Sequence, residues 1–137
     1  MSFDIFVQCF RDGEVATFKR TILEEIFGPY VTQRGSNREI ERVDYPDRTG
    51  GAEIYGDREE DLKSVMFTHG GGDALYDAIY RLVERIEGVV YWPDLGPCCA
   101  VTDAATLPHL PRKFLESCGP AVVAKSGAEI IAAIQRG

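Results

Sequence analysis

The residues with the most chemical potential form one string, His69-Gly70-Gly71-Gly72-Asp73. A strand-like run precedes it and a helical pattern follows it. Glycines at such a junction free backbone N–H groups to hold an anion. Asp73 works against that use, because a carboxylate at a helix start occupies the same N–H groups and repels an anion. No Gly-Lys-Ser/Thr follows to complete a phosphate-binding loop. The expectation is a flexible turn closed by an aspartate cap. The second feature is Tyr91-Trp92-Pro93-Asp94, which puts the only tryptophan at the end of a strand-like run. Strand ends in α/β sheets are common ligand sites. Alternatively, Trp92 closes the core, as large aromatic side chains usually do. His69, Asp73, Trp92, Asp94 and Cys98 together define one candidate pocket for a small molecule or a modest enzyme.

Known catalytic and metal-binding arrangements fail on their own requirements. His69-Gly70-Gly71-Gly72 resembles the oxyanion loop of lipases and esterases. The resemblance covers four residues, and the partner motif Gly-x-Ser-x-Gly is absent, so an esterase is excluded. Cysteine catalysis needs a thiol, a base and an orienting group. Cys98 or Cys99 with His69 or His109 would be the pairing, and nothing local supports it. The four cysteines, Cys9, Cys98, Cys99 and Cys118, contain no Cys-x-x-Cys pair and are read as reduced thiols. His69, His109, Asp94, Cys98, Cys99 and Cys118 lack the spacings that a metal site prefers, so neither a metal nor another cofactor is expected.

Charge is the other informative property. The chain of 137 residues carries a formal net charge of −7. Most of it lies between Glu39 and Asp61, where nine acids stand among only three bases. Such a block opposes binding to nucleic-acid phosphates. It suits a basic protein partner, since complementary charge speeds encounter and aids selection. The candidate binding residues are Glu53, Asp57, Glu59, Glu60 and Asp61, taken as lying around one solvated turn. The alternative is a solubilising edge that discourages unwanted strand pairing.

The elements that would position these residues are strands and helices in mixed order. Phe3–Phe10 reads as an interior strand, with apolar residues on both faces. Thr17–Phe27 has helical spacing and stops at Gly28-Pro29. Residues 30–37 read as a polar loop. Arg38–Tyr45, Ala52–Gly56 and Leu62–Thr68 are strand-like runs separated by short turns, as in an antiparallel meander. Ile40 and Val43 lie on opposite parities, which hints at a bulge. Asp73–Glu87 reads as an amphipathic helix, and Val89–Trp92 as a strand reached by a parallel crossover. A short strand at Cys98–Val101, a helix through Leu107–Cys118, a strand at Ala121–Lys125 and a helix opened by Ser126 complete the chain.

This pattern predicts a single α/β domain, bordering on α+β, spanning residues 1–137. Its mixed sheet has about five to six strands with helices packed on it, on one face or both. The N-terminus does not read as a signal peptide, and no run is long enough for a membrane helix, so the cytoplasm is the expected setting. The expected function is that of a small acidic binding protein without catalytic activity. Inhibitors and immunity proteins offer an analogy of size and charge only.

Overall fold

The computed structural model describes residues 4–46, 49–56, 58–94 and 97–136. Phe3, Asp47, Arg48 and Asp57 therefore lie outside the described residues. The protein is mixed α/β, as its pattern predicts. Among the described residues one sheet has nine strands, more than the alternation of apolar residues indicates.

The sheet is organised around β1 (Ile5–Arg11), which pairs antiparallel with β8 (Ser64–Gly71) on one side and β9 (Val89–Tyr91) on the other. Strands β8 and β9 are therefore parallel to each other, and α2 (Asp73–Ile86) crosses over β1 to join them. Beyond β8 lie β6 (Gly51–Tyr55), β5 (Ile40–Asp44) and the edge strand β4 (Val31–Arg34), all antiparallel. Beyond β9 lie β10 (Cys99–Val101) and β11 (Val122–Val123). The short strand β2 (Glu14–Ala16) folds back on the end of β1.

The alternation in β1 decides which side chains meet which layer. Ile5, Val7 and Cys9 join a core with Leu75, Ile79, Leu82 and Ile86 of α2. The same core takes Leu23 and Phe27 of α1 (Arg20–Phe27) and Ile130 of α4 (Gly127–Arg136). Phe10 points the other way, into a smaller core with Val89, Val101 and Leu110. A 3₁₀ segment, Ala104–His109, and α3 (Arg112–Cys118) cover that second core. Helical layers thus lie on both faces. Ser126 opens α4 as its spacing predicts: its Oγ accepts from the Glu129 amide at 3.1 Å.

Three local expectations are corrected. Phe18 and Lys19 form a two-residue strand, β3, paired with β7 (Asp61–Leu62), and the helix starts only at Arg20. Phe18 keeps its place in the core, but its backbone bonds across to Leu62, so tertiary pairing overrides helical spacing. Residues 31–34, read as loop, form β4. Three of its four side chains are exposed, so an edge strand held by backbone pairing leaves no apolar alternation to read. Ile40 and Val43 are both buried, and the register of β5 against β4 shifts between them, which is the irregularity that their parity indicates.

The third correction concerns the glycine string. It forms no turn: His69, Gly70 and Gly71 continue β8, and Gly72 takes the helix cap position with φ +97° and no side-chain cap. Asp73 is the first helical residue instead of the cap. A Cβ on Gly72 would run into the Thr49 carbonyl, and one on Gly50 into the Gly71 carbonyl. The string is needed where two backbone segments pack against each other. Gly71 itself has open space around its would-be Cβ. We therefore expect Gly72→Ala to cost about 2 kcal/mol or more in urea unfolding. Gly71→Ala should stay within about 0.5 kcal/mol of the wild type. Equal losses at the two positions would contradict the close-packing account.

Candidate functional site

The second face of the sheet is covered unevenly. Over β1, β9 and β10 it meets α3, where Tyr91 packs edge-on against Phe114 at 5.1 Å. Over the meander its side chains keep contact with solvent. Cross-strand register places them in two rows. One row runs Tyr55, Met66, Phe6, Tyr91 across four strands, and Phe6 stacks on Tyr91 at 5.2 Å. The next row runs Arg42, Glu53, Thr68. Apolar or aromatic surface thus borders charge on an open sheet.

Tyr55 is the most exposed aromatic in these rows, with 51% of its surface accessible. Its phenol stays protonated to higher pH than usual, first because of the Glu53 charge; burial, the Glu53 hydrogen bond, Glu41 and Asp4 follow. Glu53 accepts from the Tyr55 hydroxyl, and Glu41 lines the cleft beside the ring. This cleft, of about 260 Å³, has Glu39, Glu41 and Glu53 as its acids and Arg42 and Arg58 as its bases. On the other side of the ring a cleft of about 500 Å³ reaches Arg58, Glu59, Asp61 and Lys63.

Glu53 is the most connected of these acids. His69 Nδ1 lies 3.0 Å from its Oε2, the Tyr55 hydroxyl donates to the same oxygen at 3.4 Å, and Arg42 approaches at 3.9 Å. The His69 hydrogen bond is the main reason that its carboxyl is held below the usual range. His69 reaches this position through a β-bulge: the register of β8 against β6 shifts there, and His69 adopts a left-handed φ of 51°.

The sequence candidates separate accordingly. Glu53, Glu59 and Asp61 border the Tyr55 surface. Glu60 instead lines another cleft beside α1, and Asp57 lies outside the described residues. Asp61 is engaged by Lys19 at 2.7 Å. The five acids do not make one solvated turn, since Glu53 stands on β6 and is only about one-third exposed. Of the alternative set, His69 joins Glu53, while Asp73 and Asp94 are exposed and Trp92 and Cys98 are buried. Trp92, at 1% exposure, closes the core. Glu41, Tyr55 and Asp4 were not singled out by sequence. Tyr55 sits one position past the alternation Ala52-in, Ile54-in, and that parity was the available signal.

Two of the thiols are set against nucleophilic work. Burial pushes Cys99 up to about 12 and Cys118 up to about 11. Among the described residues no group of three or more His, Cys, Asp or Glu side chains is arranged to hold a metal ion. No described helix is long and apolar enough to cross a membrane. What the fold and surface define is a mixed α/β domain with an open, acid-bordered aromatic sheet face. No family, characterised protein or solved structure compared with this chain matches it.

Two outcomes follow. His69→Ala should raise the midpoint of Glu53 in a carboxyl NMR titration toward the ordinary range. The Glu53–His69 contact favours the charged carboxylate, so its contribution is present above that range and is lost as pH falls through the lowered midpoint. An unmoved midpoint would show that the bulge does not govern Glu53. Native Cys99 and Cys118 should react with iodoacetamide at pH 8 on the order of a hundredfold more slowly than in urea, because little thiolate is present. Mass spectrometry of the labelled peptides checks it.

Proposed function

We propose that this protein binds a basic segment of a protein partner on the open half of its sheet and has no chemistry of its own. The observation that carries the reading is Tyr55, a half-exposed ring whose hydroxyl donates to Glu53 and whose cleft is lined by Glu39 and Glu41. A ring face attracts a guanidinium or ammonium group, and surrounding carboxylates strengthen that attraction. The rows beside Tyr55 supply apolar area from Met66 and Phe6 for the stem of a long basic side chain. Glu59 and Asp61 stand on the other side of Tyr55, among Arg58 and Lys63, and add acids that meet an incoming basic segment.

Charge complementarity selects this occupant over nucleic acid, whose phosphates would meet like charge. The cytoplasm, where thiols stay reduced, suits the four cysteines. The analogy with acidic inhibitors and immunity proteins remains one of size and charge.

A short oligo-arginine peptide is the defined probe, and an oligo-glutamate peptide the control. In amide NMR at low salt the arginine peptide should perturb Tyr55, Glu53, Thr68 and their neighbours with a saturable response. Glu53→Gln with Tyr55→Ala should weaken binding about tenfold, equivalent to about 1.4 kcal/mol. Neutralising Glu59 and Asp61 should mainly slow association, with an effect that shrinks as salt rises. Perturbations scattered over every acid, with no loss in the Tyr55 variant, would leave only unspecific charge attraction and defeat the reading.

A further inference from the structure

The Lys19–Arg38 region carries a second site of opposite charge. A cleft of about 590 Å³ opens where β3, the start of α1, the end of β4 and the loop after it meet. Its bases are Lys19, Arg20, Arg34 and Arg38, against two acids, Glu24 and Glu60. A protein of net charge −7 has gathered an excess of cations around this cleft.

The ion pairs there do not exhaust those cations. Arg34 grips both oxygens of Glu24, at 2.8 and 2.9 Å, and also donates to the Arg38 carbonyl at 2.8 Å. Arg20 stands 4.0 Å from the same carboxylate. The Arg34 hydrogen bond is the main reason that Glu24 is held below its usual range, and the charges of Arg34, Arg20 and Arg38 add to it, so one carboxylate faces an excess of guanidinium charge in this cleft. Lys19 is paired with Asp61, but both side chains are more than half exposed, so that pair holds the lysine weakly. The first turn of α1 has no side-chain cap, and its cap residue, Lys19, is itself a base. The Arg20 amide is taken by the Glu60 carbonyl at 2.9 Å, and Thr21 stands at the cleft beside it.

We propose that this cleft binds a phosphate-bearing small molecule, with Arg20 and Arg38 contacting the phosphate and Glu24 holding Arg34 in place beside them. Two guanidinium groups can chelate phosphate oxygens through parallel N–H bonds. The fork between Glu24 and Arg34 fixes one cation in advance, so less side-chain freedom is lost on binding. The volume suits a small organic phosphate, which would fill a cleft of this size. Arg38 adopts a left-handed φ of 64°, which turns the chain sharply at the lip of the cleft. The site opens on the side of α1, which packs against the opposite face of the sheet through Phe27 on Phe67 at 5.3 Å, and the Lys19–Asp61 pair joins its rim to the cleft beside Tyr55.

Titration calorimetry and amide NMR with pyrophosphate as probe, on the full chain, test the assignment. Wild type should bind saturably, with shifts centred on residues 19–24 and 34–38. Arg20→Gln with Arg38→Asn should weaken binding about tenfold or more. Asn keeps the left-handed backbone accessible, so Arg38→Asn alone serves as the variant expected to fold normally and still bind more weakly. Sulfate at equal concentration should compete poorly, having fewer charges to place. The proposal is overturned by absence of saturable pyrophosphate binding, by equal affinity in a folded Arg38→Asn variant, or by shifts centred on Tyr55. A phosphoserine peptide binding about tenfold tighter than pyrophosphate would also overturn it, in favour of a protein ligand.

Discussion

Every layer of this protein depends on β1 being paired along both edges and supplying core side chains to both faces. Because β1 is antiparallel to β8 and to β9, those two strands must run in the same direction. No tight hairpin can join them, and α2 supplies the crossover. Val7 fills one core and Phe10 the other, and β9 and β10, paired in turn beyond β1, feed the same two clusters through Val90 and Ala100 on one face and Val89 and Val101 on the other. Each such side chain, fully buried, contributes about 1.5–3 kcal/mol. Their removal would loosen both layers at once.

The same arrangement leaves one surface exposed. The 3₁₀ segment and α3 are short, and they shield the second face near β1, β9 and β10. Strands β5, β6 and β8 present Arg42, Glu53, Thr68 and Tyr55 to solvent on that side. An uncovered antiparallel sheet must be polar on its outer face, which accounts for the charges. It does not account for Tyr55, an aromatic ring that leaves half of its surface in water. Exposed aromatic surface bordered by charge has the make-up of a binding surface.

Folding also sorts charge that is mixed along the chain. Glu53 and Glu60 are seven positions apart in sequence. One ends beside Tyr55 and His69, and the other among Lys19, Arg20 and Arg38. The β3–β7 pairing performs the separation, because it carries Asp61 to Lys19 and the Glu60 backbone to the start of α1.

Sequence alone determined the class of fold and the direction in which most elements face. The stripe from Leu75 to Ile86 and the alternation of Ile5, Val7 and Cys9 are local periodicities, and burial enforces them directly. The parity conflict of Ile40 and Val43 exposed the irregular register, and the spacing of Ser126 and Glu129 marked a helix start. The edge strand β4, the strand β3 and the role of the glycine string were not legible. β3 and the glycine string are set by a backbone meeting a distant backbone, and β4 by backbone pairing with its neighbour that leaves three of its four side chains exposed; such contacts leave no local pattern of side chains. The candidate sites belong to the same category. The acidic window was visible as composition, but its division was decided by tertiary structure. Arg20 and Arg38 line one cleft with Glu24, and Glu41 and Glu53 another with Tyr55, only because strand register and chain reversal bring separate segments together. Electrostatic interaction depends on distance through space, and sequence separation does not encode that distance.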